Sequence, residues 1–265
     1  MATPITLHSV TSVPCDAQAG CDVCSLNDLC LLSHVEENEL ERFDGLIQHR
    51  RPIKRGGYVF RAGAPLRSLF AIRAGSFKTS VLHDDGREQV TGFYMAGEIM
   101  GLDGISSDIH TVNAVALEDS ELCELPYYEL ERLVRDMPSL QHHFHRIMSR
   151  EIVRDHGVML LLGAMSAEER IATFLLQLSK RYLARGYSAS SFTLRMSRGE
   201  IGSYLGLTIE TVSRVFSKLQ EEGYVSVQKR DICLKNVPGL MKLIGKNDAG
   251  TRDFAARPGA LHAVA

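Results

Sequence analysis

Glycine-rich turns divide the stretch from Tyr58 to Leu125 into short apolar runs, and this division constrains the fold more than any other feature. The runs are YVFRAG, SLFAIRAG, FKTSVL, EQVTGFY, TVNAVAL and ELCEL. The glycines between and around them are Gly56, Gly57, Gly63, Gly75, Gly86, Gly92, Gly97, Gly101 and Gly104. Asp85-Gly86 is a strong hairpin signal. Many short strands at close spacing predict a β-sandwich or β-roll, of the jelly-roll kind.

The pattern becomes helical after Pro126. YYELERLVRDM predicts one helix, Pro138 interrupts it, and a long helix is expected from about Ser139 to Met165. The chain is therefore expected to be α+β, with an amino-terminal β-roll followed by helices.

The long helix carries a heptad pattern. Its five positions are spaced 4, 3, 4 and 3 residues apart: Met148, Ile152, Asp155, Met159 and Leu162. Because a lone helix would leave this stripe in water, we expect a homodimer. The alternative is that the helix packs the stripe on its own roll. In a symmetric dimer each Asp155 would approach its equivalent, and repulsion between the two carboxylates predicts weak association. The alternative is that Asp155 lies in solvent at the edge of this stripe, which is the predicted dimer seam.

Residues 196–234, MSRGEIGSYLGLTIETVSRVFSKLQEEGYVSVQKRDICL, contain two short helices around a glycine turn. Ser197 with Glu200 forms a capping box, Gly206 ends the first helix and Thr208 caps the second. The predicted inner faces consist of Ile201, Leu205, Leu207, Val212, Val215 and Leu219. This pattern predicts a helix-turn-helix, and the following YVSVQKRDICL hairpin predicts a wing.

Glu210, Ser213 and Arg214 share one outward face near the start of the second helix. Arg can donate to guanine, Glu can accept from cytosine, and Ser adds little bulk, so these residues are candidates for base reading. Three other residues are better placed for phosphates: Thr211, Ser217 and Lys218. A surface ion pair on an ordinary helical hairpin is the alternative.

The charge distribution favours the same interpretation. Residues 166–250 carry 13 Lys and Arg against 8 Asp and Glu, a net charge of +5, whereas residues 1–165 have a net charge of −8. The carboxy-terminal part is therefore suited to a polyanion, although ordinary surface variation remains the alternative.

The order of β-roll, long helix and winged helix-turn-helix resembles the CRP/FNR superfamily of bacterial transcription factors, over about residues 20–245. EERIATFLLQLSKRY, MSRGEIGSYLGLTIETVSRVFSKLQEEG and MSREIVRDHGVMLLL resemble the FNR branch, the oxygen-responsive regulators of anaerobic metabolism. The resemblance implies that Glu210, Ser213 and Arg214 read a palindrome of TTGAT-like half-sites in double-stranded promoter DNA. It also implies contact with RNA polymerase through HDDGREQVTGF, residues 83–93, for which a simple strand connection is the alternative.

Five segments are expected from this organisation. They are a flexible arm (1–19), a cysteine-bearing arm predicted to bind a metal cluster together with a sensory β-roll similar to cyclic-nucleotide-binding domains (20–137), a dimerisation helix (138–165), a winged helix-turn-helix (166–246) and a disordered tail (247–265).

Cys21, Cys24 and Cys30 lie within ten positions of one another. The chain has no apolar run long enough to span a membrane and no signal-peptide pattern, so we expect a cytoplasmic location without membrane contact. In reducing surroundings, clustered thiols favour metal or redox chemistry over disulfides. Four thiolates can hold an iron-sulfur cluster or zinc, and Cys15, Cys123 and Cys233 are all available as the fourth ligand.

The FNR pattern, Cys-x2-Cys-x5-Cys plus one distant cysteine, is matched by Cys21, Cys24, Cys30 and Cys123. The resemblance therefore implies a [4Fe-4S] cluster that oxygen degrades. Such a cluster would connect the arm to the start of the dimerisation helix. It would favour the dimer by relieving the repulsion at Asp155 or by shielding its charge. A coupling of ~1–3 kcal/mol would change the dimer population substantially.

Other functions are less favoured. A cyclic nucleotide needs a cation for its phosphate, yet no Lys or Arg occurs from Glu88 to Glu131, and GEIMG resembles a nucleotide pocket without its anchor. A thiol oxidoreductase using Cys21-Asp22-Val23-Cys24 would need a βαβ setting that is missing, so we do not expect an enzyme. A redox-responsive or zinc-binding CRP-like regulator is the nearer alternative. Three histidines before the seam are predicted to face solvent: His142, His143 and His145.

Overall fold

The computed structural model describes Cys30, Arg42, residues 45–47 and residues 49–245. The predicted arm and tail, Cys15, Cys21 and Cys24 lie outside these residues. In the described part of the chain, no helix is long and apolar enough to cross a membrane.

Two antiparallel sheets form the amino-terminal β-roll. Its strands are β1 (His49–Ile53), β2 (Tyr58–Phe60), β3 (Ser68–Ala74), β4 (Ser76–Leu82), β5 (Glu88–Met95), β6 (Ile99–Met100), β7 (Asn113–Ala116) and β8 (Ser120–Pro126). One sheet has the order β1-β8-β3-β6 and the other β2-β7-β4-β5, so β5 is an edge strand. The side chains that fill the space between the sheets include Phe70, Ile72, Phe77, Met100 and Leu122. The β-roll prediction is therefore confirmed.

The β4–β5 connection is the hairpin that Asp85-Gly86 predicts. The His83 amide donates to the Arg87 carbonyl at 2.9 Å, and Gly86 has a φ of +83° that glycine adopts without strain. The Asp85 carboxylate accepts a hydrogen bond from the Arg87 amide at 3.0 Å, which closes the turn.

Six helices and a small sheet follow among the described residues. The helices are α1 (Tyr127–Asp136), α2 (Pro138–Ala164), α3 (Ala167–Leu183), α4 (Arg198–Leu205), α5 (Ile209–Glu221) and α6 (Val237–Leu243). The sheet contains β9 (Ser191–Thr193), β10 (Val225–Gln228) and β11 (Asp231–Leu234), in the order β10-β11-β9. Pro138 is the first residue of α2, where its missing N–H is not needed.

The local signals in residues 196–234 predicted the helix-turn-helix correctly. Ser197 and Glu200 form the capping box of α4, and Gly206 ends that helix with a φ of +63°. The Thr208 hydroxyl accepts from the Thr211 amide at 3.2 Å and begins α5. Strands β10 and β11 pair as the predicted wing. The apolar core of this unit is continuous with Val90 and Phe93 of β5, so the unit is docked on the roll.

Candidate nucleic-acid interface and cysteine site

Helix α5 has one buried and one exposed face. Val212, Val215, Phe216 and Leu219 are buried in the core that α5 shares with α3 and α4. This spacing follows the helical repeat, so the residues between them are turned outward.

All three predicted base-reading residues lie on the exposed face of α5: Glu210, Ser213 and Arg214. Hydrogen bonds from its own amide and from Thr208 hold the pKa of the Glu210 carboxyl below its ordinary value, so it stays an ionised acceptor. Arg214 has no ion-pair partner within the described residues, which leaves its guanidinium available to a ligand. The Ser213 hydroxyl donates to the Ile209 carbonyl at 2.9 Å.

The three predicted phosphate-binding residues differ in exposure and in their contacts. Ser217 is exposed, whereas Thr211 is half-buried. Lys218 Nζ lies 2.5 Å from Glu168 Oε1 of α3, and this hydrogen bond raises the pKa of Lys218. A phosphate contact would therefore require Lys218 to leave Glu168, and its role stays a prediction.

Arg198 makes a contact with Phe216 that the sequence did not predict. Its guanidinium lies over the Phe216 ring, 3.5 Å from the ring centroid, and so joins the first turn of α4 to α5. Burial lowers the pKa of Arg198 from its ordinary value. A cation over an aromatic face stabilises the pairing of these helices. The two residues are eighteen positions apart, and the sequence between them gave no signal of this contact.

The predicted dimer seam is largely exposed. Ile152 is 55% exposed, Met159 is 61% and Leu162 is 36%, and Asp155 is exposed between them. Met148 differs, since it packs against the apolar cluster beneath the first half of α2. The stripe from Ile152 onward is therefore not packed on its own roll.

Cys123 lies on the outer face of the roll. Successive residues of a strand face opposite sides, and so Leu122 enters the core between the sheets while Cys123 faces the helices. Cys123 is paired across the sheet with Arg50 of β1 and Ala71 of β3. It is half-buried against an apolar cluster that also holds Leu140 of α2.

Cys30 is half-buried against the same cluster. The structure therefore brings two of the four predicted ligands, Cys30 and Cys123, to one apolar surface at the base of α2. The partner positions Cys21 and Cys24 lie outside the described residues. Cys233 is in β11, opposite Ser191, in a separate sheet. Within the described ranges, no group of three or more His, Cys, Asp or Glu residues could hold a metal.

The prediction that the three histidines face solvent is wrong for His143. His142 and His145 are exposed, but His143 is 4% exposed. The first half of α2 buries Leu140, Phe144 and Ile147 on the roll, and His143 shares their face at helical spacing.

A β-roll joined by a long helix to a winged helix-turn-helix with an open recognition face defines a transcription regulator. Residues 169–243 match the Crp-like helix-turn-helix domain, and residues 50–137 match the cyclic nucleotide-binding domain. The chain belongs to the CRP/FNR family, whose members bind DNA and are typically dimers.

Relatives and a solved structure agree with this assignment. "Transcriptional regulatory protein btr" of Bordetella pertussis is 46% identical over 228 residues, 86% of this chain and 94% of that protein. "Anaerobic regulatory protein" of Pasteurella multocida is 44% identical over 225 residues, 85% of this chain and 82% of that protein. The structure of FixK2 from Bradyrhizobium japonicum matches with a TM-score of 0.69 at 30% identity, over 74% of this chain and 96% of that one. The expectation of a regulator rather than an enzyme is confirmed.

Proposed function

We propose that the chain is an oxygen-responsive transcriptional regulator of anaerobic genes, acting in the cytoplasm as a homodimer on palindromic promoter DNA. The observation that carries this proposal is the position of Cys30 and Cys123 on the apolar cluster that anchors α2 to the roll. The relative named as an anaerobic regulatory protein, at 44% identity, supports the same physiological role.

Cys21, Cys24, Cys30 and Cys123 would hold a [4Fe-4S] cluster. Four thiolates are the donor set of such clusters, and the half-buried apolar setting of Cys30 and Cys123 suits a group that must be shielded from water. When bound, the cluster supplies a group that oxygen degrades. Zinc is the alternative that the same donor set allows.

The chain's own residues connect this site to the dimer helix. Cys123 and Met148 both pack against the cluster formed by buried residues such as Leu140 and Ile147. Because packed side chains do not deform continuously, a shift of the Cys30 segment changes how the first half of α2 sits. The exposed second half of α2 would move together with the first half, since α2 is one continuous helix.

Dimerisation would occur through the exposed stripe of Ile152, Met159 and Leu162, with Asp155 opposing it. A coupling of ~1–3 kcal/mol between the two regions is enough to change the dimer population. The dimer would present two copies of α5 about 34–36 Å apart, one DNA turn. Glu210, Ser213 and Arg214 would then read TTGAT-like half-sites.

The β4–β5 hairpin is proposed as the contact for RNA polymerase. Its tip is exposed from His83 to Arg87, and Leu82 is 61% exposed. Exposed turns on a rigid hairpin suit transient contacts.

We do not propose a cyclic nucleotide as ligand, although residues 50–137 match the domain that binds one. Glu98 of GEIMG accepts hydrogen bonds from Arg181 and Arg185 instead of facing an open pocket. No Lys or Arg between Glu88 and Glu131 could offset a phosphate.

The test is anaerobic purification of the full chain, with iron, sulfide and zinc quantified and DNA binding followed as air is admitted. We expect about four irons per chain, bleaching in air and a parallel loss of affinity for a TTGAT palindrome. Cys123→Ser should lose the iron, whereas Cys233→Ser, the matched control in the wing, should keep it. A colourless protein with tightly held zinc would contradict the cluster and leave the DNA-binding proposal standing.

A further inference from the structure

The loop between β5 and β6 makes a buried ionic contact with α3. Glu98 Oε2 accepts from Arg181 Nη2 at 2.6 Å, and Glu98 Oε1 accepts from Arg185 Nη2 at 2.6 Å. The same arginines also donate to roll carbonyls, Arg181 to Phe93 at 2.7 Å and Arg185 to Ala96 at 2.6 Å. Two guanidinium groups, one from the last turn of α3 and one from the turn that follows it, are thus fixed on one turn of the roll.

This contact is largely shielded from solvent. The Arg185 side chain is 7% exposed and the Glu98 side chain 18%. Burial acts to raise the pKa of Glu98, but the charges of Arg181 and Arg185 outweigh it, so the pKa lies below its ordinary value and the carboxylate is ionised. The dimer helix also reaches this point, since Arg154 Nη1 of α2 lies 4.0 Å from Glu98 Oε2.

A buried ion pair adds little net stability compared with well-packed apolar residues, but removing one partner is strongly destabilising. What this ion pair does add is a fixed orientation of one unit relative to the other. Guanidinium groups donate in a fixed planar fork, and so few placements of α3 satisfy both arginines at once. The contact therefore restricts the angle at which α3 meets the roll.

A second polar contact holds the opposite end of the junction. The Ser203 hydroxyl of α4 donates to the Glu88 carbonyl at 2.9 Å and accepts from the Val90 amide at 2.8 Å, both on the edge strand β5. Lys78 of β4 joins Glu88 at 2.9 Å and Glu200 of α4 at 3.2 Å.

Aromatic rings pack between these two ends. Phe93 of β5 meets Tyr204 of α4 at a centroid distance of 5.1 Å and Phe174 of α3 at 6.1 Å. Beside these rings is a cavity of about 260 Å³, which Arg154 and Arg181 also line. Apolar burial has no preferred direction, whereas charged hydrogen bonds have a fixed geometry, so the polar contacts at the two ends decide the angle.

We propose that Glu98 is a positioning residue for DNA recognition. By fixing α3 against the roll and the dimer helix, it sets the direction of α5 in each protomer, and hence the separation of half-sites that the dimer accepts. This inference rests on the proposed function of the chain as a dimer on palindromic DNA.

The experiment compares wild-type protein with Glu98→Gln, both reconstituted anaerobically, on a set of TTGAT palindromes that differ only in the number of base pairs between half-sites. Wild type should prefer one spacing strongly, because the second half-site is bound at high effective concentration only when the geometry matches. Glu98→Gln should reduce that preference by about tenfold or more, while binding to a single half-site is unchanged.

Two further variants separate positioning from general damage. Arg185→Gln removes the partner in the turn after α3, should have the same effect as Glu98→Gln, and should not add to it in the double variant. Glu118→Gln is the matched control, since Glu118 pairs with Arg195 of the other unit at 3.2 Å on the more exposed side of the junction. It should keep the wild-type spacing preference.

Amide exchange at residues 88–93 provides a readout without DNA, and it should accelerate in Glu98→Gln but not in Glu118→Gln. An unchanged spacing preference in Glu98→Gln, or an equal loss in Glu118→Gln, overturns the assignment. If the wild-type protein binds no palindrome at any spacing, the proposed function is wrong. If it binds all spacings equally, the proposed role of Glu98 is wrong but the proposed function stands.

Discussion

The two halves of α2 differ in what covers them. The first half, from Pro138 to Met148, buries Leu140, Phe144 and Ile147 on the outer face of the β-roll. The second half leaves Ile152 and other apolar side chains in solvent, among them Val153, Met159 and Leu160. A single helix therefore has one half packed on its own roll and one half that leaves an apolar stripe uncovered in the monomer, although Val158 and Leu161 of that half pack on the core of the helix-turn-helix unit.

In the proposed function, this difference separates sensing from assembly. The buried half shares its apolar cluster with Cys30 and Cys123, whereas the exposed half carries the heptad stripe with Asp155. Arg154 lies at the boundary, with its guanidinium 4.4 Å from the Tyr94 ring centroid and an ion pair to Glu151. We expect a signal at the cysteines to reach the stripe by altering how the buried half sits on the roll.

The largest expected effect comes from truncating the buried half. Leu140→Ala should lower the free energy of unfolding by about 2–5 kcal/mol, because Leu140 is fully buried and its removal leaves a cavity. Ile152→Ala, the matched truncation in the exposed half, should change monomer stability by less than about 0.5 kcal/mol. Urea unfolding at a concentration where the chain is monomeric measures both. Equal losses would contradict the division of α2 into two halves.

Local signals explain how much of the fold could be predicted. The Ser197 capping box, Gly206 and Thr208 each act within four residues, and the structure has all three where they were predicted. The hairpin at Asp85-Gly86 and the helix start after Pro126 depend on equally local rules. The recognition face followed from these boundaries, because the helical repeat then determines which side chains point outward.

Long-range contacts explain what could not be predicted. His143 was expected in solvent because the sequence does not state which side of α2 the roll covers. Glu98 pairs with Arg181 and Arg185, 83 and 87 residues later, and GEIMG alone indicated a nucleotide pocket without its anchor. The positions of Cys30 and Cys123 on one cluster likewise depend on the packing of α2 against β8.

A second prediction addresses the exposed half alone. Ile152→Glu should weaken dimerisation and lower affinity for a TTGAT palindrome by about 100-fold, because binding loses the contribution of the second half-site. Thermal unfolding of the monomer should be unchanged, since Ile152 touches solvent in the monomer. Sedimentation velocity and fluorescence anisotropy measure the two effects. A variant that stays dimeric would place the interface elsewhere.

The smallest and most specific effect concerns the acid in the stripe. Asp155→Ala should strengthen dimerisation in air by about 1 kcal/mol, roughly fivefold in the dimer dissociation constant, since two facing carboxylates no longer repel. Asp155→Asn should act similarly if charge is the cause, and the benefit of Asp155→Ala should shrink at high salt, where the repulsion is already screened. His156→Ala, at the neighbouring exposed position, is the control and should leave association unchanged. An unchanged monomer in Asp155→Ala would show that Asp155 does not oppose assembly, and the link from cysteines to dimer would then have to act through the buried half alone.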